Sequence, residues 1–297
     1  EQRQRKYADN MKETIEISDE LKNENDYKAY EFLAQLQWQI VSSNKEKVVL
    51  DFRKCEFSNA IFSSFIGAMK YIGSGMGKEL NFITADNSEL DLYFKRSEIL
   101  KDRLKYGESY VNKNTIPFRK VDMNDDTVID YISNILNLAP IDLTERCAEV
   151  LFKNIFEIFN NAVEKSNARY GVYSCGHWMP KKKQLMFSVY DTGIGIPNLV
   201  KKNISRDFSS YDAIMWSLER GNSTKQLEFG TPRGLGLADL KDFIRLNNGT
   251  LTIFTNDIFF QQKGNTVSAN LLSYPILGTF IGITIVADYN HVYMVRE

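Results

Sequence analysis

Asp191-Thr-Gly-Ile-Gly-Ile-Pro197 follows an apolar run at residues 185–190. The pattern reads as a buried strand ending in a carboxylate, then a loop whose backbone must come close to something. An ionised Asp191 can only accept hydrogen bonds, so it suits an N–H donor on a ligand. Gly193 and Gly195 let backbone pass such a ligand without a Cβ clash. Upstream, in Glu157-Ile-Phe-Asn-Asn161-Ala-Val-Glu, Glu157 and Asn161 are four apart and stand one above the other on a helix. A carboxylate in that setting can take the proton of an attacking water or hydroxyl. A neutral amide oxygen suits a Mg²⁺ that phosphate oxygens already coordinate. Taken alone, the pair reads sooner as a solvated polar stripe. Downstream, Gly230-Thr-Pro-Arg-Gly234-Leu-Gly236-Leu-Ala-Asp-Leu opens a helix. Glycines at a helix N-terminus present free amides to phosphate oxygens, and the helix dipole adds to the attraction.

In this order and spacing the three stretches resemble the N, G1 and G2 boxes of the GHKL ATPases. That family includes gyrase, the heat-shock ATPase chaperones, histidine kinases, MutL and the anti-sigma-factor serine kinases. The resemblance covers roughly residues 144–290. It implies ATP and Mg²⁺ as cofactors, with Asn161 as metal ligand and Glu157 as catalytic base. It assigns Asp191 to the exocyclic amino group of adenine, which guanine lacks at the equivalent ring position. Gly193 and Gly195 lie beside base and ribose, and Ile196 covers the adenine face. Gly234, Leu235, Gly236 and Leu237 fall at the phosphates, while Arg233, not a usual member of this box, is either a phosphate contact or solvated. Gly278-Thr279 resembles the terminal box of the fold and adds Thr279 to the nucleotide contacts. Gly221-Asn-Ser-Thr-Lys225 resembles the small-residue motif before the lid, which makes Lys225 a candidate phosphate contact and residues 198–229 a lid. Histidine kinases usually carry Asn where this chain has Glu157. The only histidines are His177 and His291, neither on a dimerising phosphoacceptor helix. Both facts point away from histidine-kinase chemistry.

The elements that must position these residues follow from periodicity. A helix over residues 144–165, capped by Asp142 or Thr144, has an apolar face at Ala148, Leu151, Ile155, Ile158, Phe159 and Ala162. A second helix runs over 236–246, stopped at Gly249. Ser209 or Ser210 caps a short helix that ends by Gly221. Lys181-Lys-Lys183 reads as a solvated hairpin turn, residues 251–254 and 279–286 as strands, and Gly264-Asn265 as a further hairpin.

The N-terminal half reads differently. Residues 1–24 are polar and read as a solvated helix or connector. A helix over 27–40, a strand over 47–52, a helix over 59–72 ended by Gly73-Ser-Gly-Met-Gly77, a strand over 79–84 and a helix over 88–106 make a small α/β unit with a parallel strand pair. Val48-Val-Leu-Asp-Phe52, a polar turn and Phe57-Ser-Asn-Ala-Ile-Phe-Ser-Ser64 resemble a STAS domain, the fold of anti-sigma-factor antagonists. In that family a serine opening the helix accepts phosphate. Here Ile61 falls at that position, with Ser58, Ser63 and Ser64 out of register, which favours an interaction module over a phosphoacceptor. Residues 107–143 read as a linker with a short helix at 127–136.

With 297 residues, two domains are expected. The 37 basic and 38 acidic side chains leave no electrostatic footprint for nucleic acid or an anionic membrane surface. No apolar run approaches the roughly 18 residues of a membrane span, and no signal peptide is read. The chain begins at Glu1 rather than Met, as an excised fragment or a tag-cleaved product would. Cys55, Cys147 and Cys175 are too few and too far apart for a disulfide framework or a zinc site, and read as reduced thiols of a cytoplasmic protein.

The expected architecture is α/β: a polar segment at 1–24, a STAS-like domain at 25–118, a linker and short helix at 119–143, and a GHKL domain at 144–297. The last is expected as a two-layer sandwich of a mixed sheet against helices. The expected function is an ATP-driven switch acting on a protein partner or a homodimer. A serine/threonine protein kinase and a module that binds ATP without hydrolysing it are the alternatives.

Overall fold

The computed structural model describes residues 12–100, 113–121, 125–164, 167–224, 236–288 and 290–295. The chain opens with β1 (Lys12–Glu16), α1 (Tyr27–Ser42), β2 (Lys47–Asp51), α2 (Ser63–Gly75), β3 (Glu79–Ile83) and α3 (Glu89–Arg96). The three strands form a parallel sheet in the order β1-β2-β3. Right-handed crossovers between sequential parallel strands place both connecting helices on one face. Accordingly Leu33 and Leu36 of α1, and Phe65 and Met69 of α2, share a core with Val48, Leu50 and Leu80.

A second sheet has seven strands in the order β4-β5-β6-β10-β7-β8-β9, antiparallel throughout. It comprises β4 (Thr115–Lys120), β5 (Val172–Met179), β6 (Gln184–Asp191), β7 (Thr250–Thr255), β8 (Ile258–Lys263), β9 (Thr266–Leu271) and β10 (Thr279–Val286). The remaining helices are α4 (Asp125–Asn137), α5 (Glu145–Glu164), α6 (Ile196–Asn203), α7 (Ser210–Ser217) and α8 (Gly236–Leu246).

Both faces of the seven-stranded sheet are covered. Leu185, Phe187 and Val189 of β6 face a core shared with Leu151 and Ile155 of α5 and Leu240 and Phe243 of α8. On the opposite face, Tyr190, Phe254 and Phe280 join the core of α1 and α2. Burial on both sides explains why β6 is apolar without alternation. It also explains α2, which is sandwiched between two sheets and buried around most of its circumference. Buried Ser64 of α2 hydrogen-bonds Ser188 of β6 at 2.8 Å, tying the N-terminal unit to the strand that carries Asp191.

Four expectations are corrected. The segment at residues 12–16, expected helical or linker-like, is strand β1, where Ile15 alone of five residues is fully buried. The helix expected over 88–106 ends at Arg96, with Ser88 as its cap and Glu98 at positive φ beyond it; residues 101–112 lie outside the described set. The linker expected to begin at 119, and the STAS-like domain expected to reach 118, are both crossed by β4, which pairs with β5 in the large sheet. Pro117 disguised that strand. A proline is tolerated on an edge strand, here beside a register shift between Ile116 and Arg119. Finally, the mixed two-layer sandwich is instead an antiparallel sheet between two helical layers, with the parallel sheet behind the first of them.

Candidate functional site

Helix α5 starts where the hydroxyl of Thr144 accepts the Cys147 N–H at 3.3 Å, so Thr144 is the cap. Its apolar stripe packs on the sheet, which leaves Glu157 and Asn161, both half-buried, on the edge facing a cleft. Gly236, the first residue of α8, lies directly against Glu157: a Cβ there would collide with the Glu157 carboxylate. The carboxylate thus sits at the positive end of α8.

The opposite wall is built on the ends of β6 and β10. Asp191 and Thr279 are register partners across these strands, and both are buried. Asp191 Oδ1 accepts the Gly193 N–H at 2.9 Å, which folds the loop back onto the strand end. Gly278, at φ +74°, has no room for a side chain, because a Cβ would meet the Asp191 carbonyl and the Gly193 nitrogen. Thr255 connects the parts. Its hydroxyl donates to the Gly278 carbonyl at 2.8 Å, lies 3.0 Å from the Thr279 hydroxyl and accepts the Ile196 N–H at 3.1 Å.

Gly195 caps α6 at φ +83°, and a Cβ there would strike the Asn256 side chain. Asn256 in turn donates to the Ile194 carbonyl at 3.1 Å and accepts the Asn198 N–H at 3.3 Å. Gly195 is therefore needed to turn the loop over Asn256. The third wall is α6 and α7, the latter started by a reciprocal capping box between Ser209 and Asp212.

These walls enclose a cleft with about 890 Å³ of empty space, part of it open to solvent. Glu157, Asn161, Asp191, Gly195, Ile196, Leu237 and Thr279 all line it. Gly193 is in the loop beside it and Gly236 abuts Glu157. Lys225, Arg233, Gly234 and Leu235 lie outside the described residues, as does the part of the expected lid from 225 onward.

Three residues of the site were not anticipated. Thr255 and Asn256 end a strand and occupy a turn, and nothing in their local sequence marks them. Trp216 lines the cleft from α7. A tryptophan next to the Gly221-Asn-Ser-Thr stretch was the available signal. Chemically, the cleft offers an apolar slot, a buried carboxylate at its floor, and a carboxylate and amide pair beside a helix N-terminus. Comparison of the chain with protein-family models and with curated proteins yields no match.

Proposed function

We propose that this cleft binds ATP with Mg²⁺ and that the chain is a GHKL-type ATPase, a nucleotide-driven switch for a protein partner or a second copy. One observation carries the reading. Residues from three stretches far apart in sequence, Glu157 with Asn161, Asp191 with Gly195, and Leu237, converge on one cleft together with Thr279. Asp191 accepts the donor edge of the base. Ile196, Leu199 and Trp216 supply apolar surface for its faces. The α8 N-terminus attracts phosphate. Glu157, beside that N-terminus, takes the proton from the attacking water.

Among the described residues, no group of three or more His, Cys, Asp or Glu side chains is placed to hold a metal ion. Asn161, which lines the cleft, would be the residue to hold a divalent ion there, its neutral amide oxygen suiting a cation that phosphate oxygens already coordinate. When bound, the ion neutralises phosphate charge. Asn161→Ala is expected to weaken binding of ATP with Mg²⁺ strongly while leaving metal-free binding near wild type. Equal losses in both titrations would reduce Asn161 to a packing residue.

Transfer of phosphate to the serines nearest the STAS acceptor position is opposed by burial: Ser58, Ser63 and Ser64 are all enclosed. Ser63 and Ser64 hydrogen-bond Tyr93 and Ser188. A radiolabelled γ-phosphate assay on the purified chain, read for released phosphate and for labelled protein, separates hydrolysis from transfer. Binding with neither outcome supports a non-hydrolysing module.

Trp216 offers an optical test. The chain has two other tryptophans, Trp38 and Trp178, and neither lines the cleft. Adding ATP with Mg²⁺ is expected to change tryptophan emission, and Trp216→Phe should abolish the change while calorimetry still records binding. A signal that survives Trp216→Phe would place the ligand elsewhere.

A further inference from the structure

The floor of the cleft is held from behind by the N-terminal unit. Helix α1 buries a stripe of Ala29, Leu33, Leu36 and Ile40, and into it falls one polar residue, Gln37, 1% exposed. A buried amide is costly unless its groups are bonded. Gln37 Nε2 donates to the Tyr190 hydroxyl at 2.8 Å, and Gln37 Oε1 accepts the Leu277 N–H at 2.6 Å. Tyr190 closes the ring by donating to the Leu277 carbonyl at 2.8 Å. Burial raises the Tyr190 pKa, so its hydroxyl stays a donor.

The two anchored residues adjoin the cleft's polar floor. Tyr190 precedes Asp191, and Leu277 precedes Gly278 and Thr279. The connection from β9 to β10 is strapped to α1 at two further points. Glu31 accepts the Ser273 N–H at 3.1 and 3.2 Å, and Trp38 lies on Tyr274 with ring centres 4.9 Å apart. On its other side the same connection donates from Ile276 to the Asn256 carbonyl at 2.8 Å, and Asn256 packs on Gly195. A shift of α1 therefore reaches Asp191, Thr279 and Gly195 through short contacts, the Gln37–Tyr190 bond among them buried.

We propose that Gln37 is a positioning residue for the cleft, through which α1 sets the spacing of Asp191 and Thr279, so that the N-terminal unit governs how tightly and how selectively the base is held. The ligand part of this inference rests on the ATP reading above; the positioning part does not. Gln37→Leu keeps approximate size but removes both hydrogen bonds, leaving the part-buried Leu277 N–H without its acceptor.

The test compares hydrogen exchange and calorimetric titration with MgATP and MgGTP for the full chain, for Gln37→Leu and for Ile40→Val. Ile40 is buried on the same helix and makes no polar contact, so Ile40→Val lowers stability without touching the ring. In Gln37→Leu, amides of residues 190–195 and 276–281 should exchange roughly tenfold faster while residues 145–164 keep their wild-type rates. Affinity for MgATP should fall roughly tenfold, and the preference for ATP over GTP should narrow. Tyr190→Phe should cost less on the Gln37→Leu background than on the wild type, because there it removes only the bond to the Leu277 carbonyl.

Wild-type exchange in Gln37→Leu, faster exchange with unchanged affinity and preference, or the same changes in Ile40→Val would each overturn the proposal. If the wild-type chain binds neither nucleotide, the ATP reading fails. The exchange comparison alone then decides whether Gln37 positions the cleft.

Discussion

Glu157→Gln is expected to lower ATP turnover by roughly 10²–10⁴, the range usual for loss of a general base, while ATP affinity stays within a few-fold of wild type. The structural reason is the packing at Gly236. Glu157 fills the space where a Cβ would otherwise stand, and glutamine has nearly the same shape, so the α5–α8 contact survives the change. What is lost is proton acceptance, a property used by the reaction and not by the bound ground state. The variant should then accumulate in its ATP-bound form, with residues 198–224 of the α6–α7 wall protected from protease. A collapse of affinity alongside turnover would mean that Glu157 supports the fold or the ground state. If the wild-type chain neither hydrolyses ATP nor transfers phosphate to any added protein, Glu157 is a structural carboxylate and the site is a binding module.

Asp191→Asn is expected to weaken ATP binding about 10- to 100-fold, the equivalent of losing a charge-assisted hydrogen bond of roughly 1.5–3 kcal/mol. The direction follows from the local hydrogen bonds. Oδ1 already accepts the Gly193 N–H, so an asparagine that keeps this bond presents its NH₂ group from the second position. A donor there meets the donor amino group of adenine. The same NH₂ group matches the carbonyl that guanine carries at that ring position, so the preference for ATP over GTP should shrink or reverse. Parallel calorimetric titrations with both nucleotides read this out. An unchanged ATP affinity would remove Asp191 from the site.

How much of this was legible in the sequence depended on whether a residue's role was set locally. Asp191, Gly195 and the apolar strand before them define their own geometry within a few residues. The same is true of Glu157 and Asn161, one turn apart on a strongly amphipathic helix. The structure brings these together with Leu237 and Thr279, which the order and spacing of the stretches, and no single stretch alone, had singled out. The contacts that hold the site from outside were not legible. Thr255 looks like any strand-end threonine until β7 is placed beside β10. Gln37 looks like an interruption in a helical stripe until Tyr190 and Leu277 are brought to it from 153 and 240 residues away.

The join between the two halves was not legible for a related reason. Motifs and element order separated an α/β half from the half that carries Glu157, Asp191 and Gly236, but burial on both faces of β6 and β10 joins them through one core. The apolar run at 185–190 already carried that information, since a strand with one solvated face would alternate. Strand β4 was hidden by Pro117, whose missing N–H is harmless only at an edge, and edge position is a property of the assembled sheet.

The most direct measurement of the central claim is photo-crosslinking of the intact chain with an azido-adenine analogue of ATP in the presence of Mg²⁺, followed by peptide mapping. The expected result is label on residues 189–200, 213–224 or 279–281, displaced by ATP and sharply reduced in Asp191→Asn. Label confined to other peptides, or label that ATP does not displace, would contradict an adenine-nucleotide site in this cleft.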